Sequence, residues 1–175
     1  GTILAEPTGG VADFKGEERD TINICSKKIK VDDYLEFLGN VISEGHVSII
    51  NKKYPNSINL YQDADSGNRY KMEENLNKIA KCFGKTVKSR ITTSNIFNTS
   101  DKSGKIKMWK GTIYDAELVR HVFEEIGENE RCNSYNKRIP RWVYSLSPRQ
   151  INILLRSLID GDGTAYRNSD GTTGF

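Results

Sequence analysis

Two hydrophobic rhythms alternate along the chain, one of about 3.6 residues and one of two, and each change of rhythm marks an element boundary. Residues 1–31 hold Thr8-Gly9-Gly10, the mixed-charge run Lys15–Asp20 and a short alternation at Ile22 and Ile24, which predicts a lead-in with one strand. Asp32 and Asp33 then offer an N-cap, and Leu35, Leu38, Val41 and Ile42 recur at helical spacing until Gly45. Val47–Lys53 and Ile58–Gln62 are β-forming runs around Tyr54-Pro55-Asn56-Ser57, a predicted hairpin turn. Met72, Leu76, Ile79, Ala80 and Phe83 predict a second helix, with Gly84 as its stop.

From Lys85 the period is two. Val87, Ser89 and Ile91 fall on one face, and Thr86, Lys88, Arg90 and Thr92 on the other. After the polar loop Asn95–Gly104, a similar run is expected to turn Ile106 and Met108 inward, with Lys105, Lys107 and Trp109 on the opposite side. Leu118, Val119, Val122, Phe123 and Ile126 mark a third helix ending at Gly127, and residues 128–136 read as a connector. Ser147-Pro148-Arg149-Gln150 joins an N-cap serine, a proline at the first helical position and a glutamine three residues after the cap. Ile151, Leu154, Leu155, Leu158 and Ile159 continue that helix to Asp160-Gly161-Asp162-Gly163. The predicted architecture is α+β: a lead-in at 1–31, an αββαββα module at 32–136, and at 137–175 the first helix and first strand of a second, truncated copy.

Composition narrows the class. With 36% hydrophobic and 28% charged residues the chain suits one ordinary core, neither a disulfide scaffold nor a disordered tail. Its apolar runs fall well short of the roughly 18 residues of a membrane span, so a cytoplasmic protein with no membrane partner is expected. Cys25, Cys82 and Cys132 are too far apart for a zinc knuckle or a paired-thiol redox motif and read as reduced thiols. The net charge of +3 hides an asymmetry: residues 46–110 carry 13 Lys/Arg against 5 Asp/Glu, whereas residues 1–45 carry 5 against 9. A basic middle suits a polyanion, because cations that neutralise phosphates also release condensed counterions.

Two segments carry the candidate chemistry. Laid over each other, Phe37-Leu38-Gly39-Asn40-Val41-Ile42-Ser43-Glu44-Gly45 and Leu155-Arg156-Ser157-Leu158-Ile159-Asp160-Gly161-Asp162-Gly163 share one layout, a helix closing on an acid and a glycine. Gly39 and Ser157 are small at the same position, which favours close helix packing. Helices paired there bring Glu44 and Asp162 together. Two carboxylates at negative helix ends repel unless a cation compensates, and a hard divalent ion with oxygen ligands, Mg²⁺ foremost, fills that need. Such an ion can activate water and stabilise a departing oxygen in phosphodiester hydrolysis.

With Lys137-Arg138-Ile139-Pro140, which is similar to a lysine-isoleucine-proline block that precedes the second motif, these segments resemble the LAGLIDADG (dodecapeptide) homing endonucleases, especially those embedded in inteins. The resemblance covers roughly Tyr34 to Thr164. Ile42 stands where the family often has Asp, and Asn40 and Ser157 replace Leu and Gly. It implies a mobile-element hydrolase that cuts double-stranded DNA, with Glu44 and Asp162 as metal-binding catalytic acids and Lys137 near the reacting phosphate. It also implies hairpin side chains that read the major groove, here Lys52, Lys53, Asn59, Gln62, Lys88, Arg90, Lys105 and Lys107. A single-chain member carries two complete halves. This chain carries one and the opening of another, which leaves open both whether it cleaves as a fragment and whether it self-associates through the exposed helix face. A non-cleaving DNA-binding module or an RNA maturase is the alternative that the same residues leave open.

Other readings are weaker. Asp160-Gly161-Asp162-Gly163 does not continue as a calcium loop, because Ala165 and Gly171 stand where Gly and Glu are needed. His46 and His121, 75 positions apart, do not form a histidine-based nuclease motif. Trp109 and Trp142 read as core or interface anchors.

Overall fold

The computed structural model describes residues 15–50, 54–96, 104–127, 136–162, 166–167 and 173–174. The lead-in contains a hairpin where one strand was expected: β1 (Thr21–Ile24) pairs antiparallel with β2 (Lys27–Lys30). Its two-residue turn holds Cys25 and Ser26 at φ 48° and 62°, left-handed values that usually select Asn or Gly, so the sequence lacks the customary signal. Helix α1 (Val31–Glu44) starts directly after β2, with Lys30 at the cap and Asp32 and Asp33 inside the first turn. There the acids oppose the positive helix end instead of capping it.

Four strands form one antiparallel sheet: β3 (Gly45–Ile50), β4 (Tyr54–Asp63), β5 (Lys88–Ile96) and β6 (Gly104–Ile113), in the order β3-β4-β6-β5. Tyr54-Pro55-Asn56-Ser57 is part of β4 and not the turn. Ser48 pairs with Ser57 and Ile49 with Pro55, so Asn56 is the extra residue of a bulge. β4 meets β6 only from Ile58 onward, so the missing N–H of Pro55 interrupts no ladder on that side.

Helix α2 (Gly67–Cys82) is capped by Ser66, whose Oγ accepts from Asn68 N at 3.2 Å, and Gly84 leaves it at φ 66°. Helix α3 (Ala116–Ile126) is capped by Asp115, which accepts from Leu118 N at 2.8 Å. A 3₁₀ turn, Arg141–Ser145, leads to α4 (Pro148–Asp162), where Ser147 Oγ accepts from Gln150 N at 3.2 Å as the capping pattern requires. A two-stranded pair, β7 (Tyr166–Arg167) and β8 (Thr173–Gly174), follows.

One apolar cluster joins these elements. Tyr34, Leu35, Phe37, Leu38 and Val41 of α1 are fully buried against Ile58 and Leu60 of β4, Trp109 and Ile113 of β6, Leu76 and Ile79 of α2, Val119 and Val122 of α3, and Leu154 of α4. A half-buried carboxylate ties its border: Glu125 of α3 accepts from Tyr34 Oη and from Trp142 Nε1, each at 2.6 Å. On α4, Leu155 and Ile159 remain 43% and 55% exposed, although their counterparts in the overlaid segment, Phe37 and Val41, are buried completely.

The lead-in is stitched to the start of α4. Glu17 N donates to Ser145 O at 2.8 Å and Ser147 N donates to Glu17 O at 2.9 Å. Buried Gln150 imitates a strand: its Oε1 accepts from Arg19 N at 3.0 Å and its Nε2 donates to Arg19 O at 2.6 Å. Arg149 binds Asp32 at 2.7 Å and also pairs with Glu18. These guanidinium contacts hold both carboxyl groups below their usual range. Hydrogen bonds and ion pairs thus tie residues 17–32 to the start of α4.

Candidate nucleic-acid interface and acidic helix ends

The α1–α4 contact is close because its sequence is small at the crossing. A Cβ added to Gly39 would lie 2.5 Å from Ser157 Cβ and 2.9 Å from Leu154 O. One turn nearer the helix ends, a Cβ on Gly161 would lie 2.7 Å from Ser43 Cβ and 3.3 Å from Glu44 Cγ. The C-terminal turns of the two helices therefore run side by side, with half-buried Glu44 against the residue that precedes Asp162. Asp162 is the last residue of α4, and its side chain lies outside the described residues. Ser43 Oγ donates back to Gly39 O at 3.0 Å and is also the atom nearest a Cβ placed on Gly161, so the serine hydroxyl itself fills this contact.

Lys137 reaches the same place from the segment after α3. Its ammonium donates to Val41 O at 2.8 Å, Ile42 O at 3.1 Å and Gly45 O at 2.6 Å, all carbonyls at the C-terminus of α1. The three residues singled out as catalytic thus converge on one helix junction as far as the described atoms extend. Glu44 and Asp162 supply hard carboxylate oxygens of the type Mg²⁺ takes. Among the described residues, no group of three or more His, Cys, Asp and Glu converges.

The sheet presents two chemically distinct faces. Paired residues of neighbouring strands share a face, and alternate residues along a strand change face. Ile58, Leu60, Trp109, Gly111 and Ile113 belong to the core face; a Cβ on Gly111 would lie 2.6 Å from Trp109 Cζ2 and 2.8 Å from Leu76 Cδ2. The opposite face carries two cross-strand rows, His46–Asn59–Thr112–Lys88 and Tyr61–Lys110–Arg90. Lys88 and Arg90 are exposed there. Lys110 Nζ lies 5.3 Å from the Tyr61 ring centroid and Lys88 Nζ lies 5.0 Å from that of Tyr114, so each cation stands over an aromatic face.

Several expected readers lie elsewhere. The inward phase assigned to Ile106 and Met108 is corrected: Trp109 is fully buried, and Lys107, two residues before it, shares the core side of the strand with its side chain exposed. Gln62 also belongs to the core side, since it pairs with Trp109 and its Nε2 contacts Met72 Sδ at 3.8 Å. Asn59 is on the outer face but is 5% exposed, accepting from Thr112 Oγ1 at 2.9 Å and donating to Ser57 Oγ at 3.1 Å. It braces the strands and presents little free amide. Lys52 and Lys53, and the side chain of Lys105, lie outside the described residues. Sequence reasoning missed Lys110 and Tyr61. The signal was the series Trp109-x-Gly111-x-Ile113, whose inward phase places Lys110 outside.

No described helix is long and apolar enough to cross a membrane. No protein-family model and no curated protein matches this chain.

Proposed function

We propose that this chain is a LAGLIDADG-type homing-endonuclease domain, of intein or mobile-element origin, that binds double-stranded DNA across its four-stranded sheet and hydrolyses phosphodiester bonds at the α1–α4 junction. One observation carries the reading: the helix crossing at Gly39 and Ser157 brings Glu44 against Gly161, the neighbour of Asp162, although the two acids are distant in the chain. Simple helix termination does not require two acid-glycine ends to be packed together, and their mutual repulsion opposes it.

In this mechanism Lys88, Arg90 and Lys110 engage the phosphate backbone and base edges, and the Asn59–Thr112 bond keeps the strands that bear them in register. Glu44 and Asp162 would hold Mg²⁺, which would supply a polarised water and positive charge for the leaving oxygen. Close helix packing half-buries Glu44, and partial exclusion of solvent strengthens the field of its carboxylate. Leu155 and Ile159, exposed where Phe37 and Val41 are covered, fit a second sheet packed on α4 in the manner of the first.

The test is cleavage of a duplex library containing candidate insertion sites by the full-length gene product that includes this chain. Double-strand cuts with Mg²⁺, none with Ca²⁺, and a loss of at least about 100-fold in Glu44→Gln are expected. Salt-sensitive duplex binding without any Mg²⁺-dependent cut would instead identify a non-cleaving module. Undiminished cutting by Glu44→Gln would remove the proposed site.

A further inference from the structure

We propose that Lys137 is a positioning residue whose ammonium caps α1 and supplies a fixed positive charge beside Glu44, instead of reaching a DNA phosphate. The inference deepens the nuclease reading and rests on it for the role of Glu44; the cap itself does not depend on that reading.

The need for the cap comes from how α1 ends. The last carbonyls of a helix have no partner within it, and many helices close them by a left-handed residue. Gly45 does not provide that closure. Its φ of −94° and ψ of 157° send the chain straight into β3, while its N–H bonds only to Val41 O. The last turn of α1 also contains no basic residue, and it ends on Glu44, whose charge adds to the negative end of the helix dipole. An abrupt helix-to-strand junction with an acid at its tip needs donors and positive charge from elsewhere in the chain.

Lys137 provides both. Val41 O, Ile42 O and Gly45 O lie at 2.6–3.1 Å from the Lys137 ammonium, which donates to all three. The acceptors span the helix and the first residue of β3, so one cation clamps the junction from both sides. The backbone that delivers it is anchored as well: Arg138 N donates to Ile126 O at 2.7 Å, Ile139 packs on the core, and Pro140 is buried at the start of the 3₁₀ turn. A lysine reaching for a phosphate leaves its ammonium toward solvent, whereas this one is turned onto main-chain oxygen.

In the full-length gene product that includes this chain, the experiment compares the parent with Lys137→Met, which keeps the stem and removes the charge, and Lys137→Arg, which keeps the charge. Nitrogen-15 spectra of the lysine side chains, thermal melting, salt-dependent DNA binding and Mg²⁺-dependent cleavage are read on all three. The cap predicts a Lys137 ammonium signal whose protons exchange at least about tenfold more slowly than those of exposed lysines. It predicts a lower melting temperature for Lys137→Met without metal, and an unchanged slope of DNA affinity against salt. Cleavage, measured well below the melting transition, falls at least tenfold in Lys137→Met and returns to within threefold in Lys137→Arg. Rapid proton exchange at Lys137 would overturn the proposal. So would an unchanged melting temperature, or a salt slope reduced by about 0.9, the signature of one lost phosphate contact. Cleavage that Arg does not rescue would also overturn the positioning role. If the parent itself does not cut DNA, the nuclease reading fails, and the proton-exchange and melting results still decide the cap.

Discussion

Gly39 and Gly67 show how the same residue type serves opposite purposes. A Cβ at Gly67, the first residue of α2, meets nothing within 4 Å, while one at Gly39 meets Ser157 and the α4 backbone. Gly67→Ala is therefore expected to leave stability unchanged or slightly improved, whereas Gly39→Ala should cost about 1–3 kcal/mol through overpacking. Urea unfolding of both variants checks this, and equal effects would mean that the crossing is loose. His121 gives a pH signature. The neighbouring Glu125 carboxylate, 3.6 Å from Nε2, raises its pKa against the opposing effect of burial. A raised folded pKa stabilises fully below the unfolded value of about 6.5, and that contribution is lost as pH rises through the folded value. The melting temperature should then decline faster above neutral pH in the parent than in His121→Asn. Parallel profiles would assign the decline to other groups.

Among the elements, the helix ends at Ser147 and Gly84 were legible because their signals are local, whereas α1 has Lys30 at its N-cap and not the expected Asp32 or Asp33. Ser147 before Pro148 and Gly84 after Phe83 act where they stand. The strands were less legible because their facing depends on partners far along the chain. In β6 both Ile106/Met108 and Trp109/Ile113 offered an apolar phase, and the second prevailed because Gly111 makes room for the Trp109 ring beside Leu76. The same choice decides which cations face outward. Lys88→Ala, Arg90→Ala and Lys110→Ala are each expected to lower the salt slope of DNA binding by about 0.9, and Gln62→Ala to leave it unchanged. A slope that fails to respond to the three basic positions would place the interface on another surface. The candidate site was partly legible: the two acid-glycine ends and Lys137 were visible as motifs, but the carbonyl cluster that receives Lys137 arises only once α1 turns directly into β3.

At the scale of the whole molecule, the segment read as a lead-in is a structural member. Gln150, 1% exposed, satisfies both main-chain groups of Arg19 and also donates to Asp32 at 2.9 Å. Gln150→Ala removes three part-buried hydrogen bonds and should cost about 1–3 kcal/mol. A chain beginning at residue 32 should melt lower than the parent for the same reason. Calorimetry of the two forms tests this, and equal stabilities would restore the segment to the status of a tether. The Glu17–Leu146 parallel bridge joins one of the first described residues to a partner near the end of the module. On the ribosome, the early residues leave the exit tunnel long before the strand-like partner at 145–147 exists, so they must wait unpaired until nearly the entire module has been synthesised. Final closure is then a late, post-emergence step, slowed by contacts that span so much of the chain.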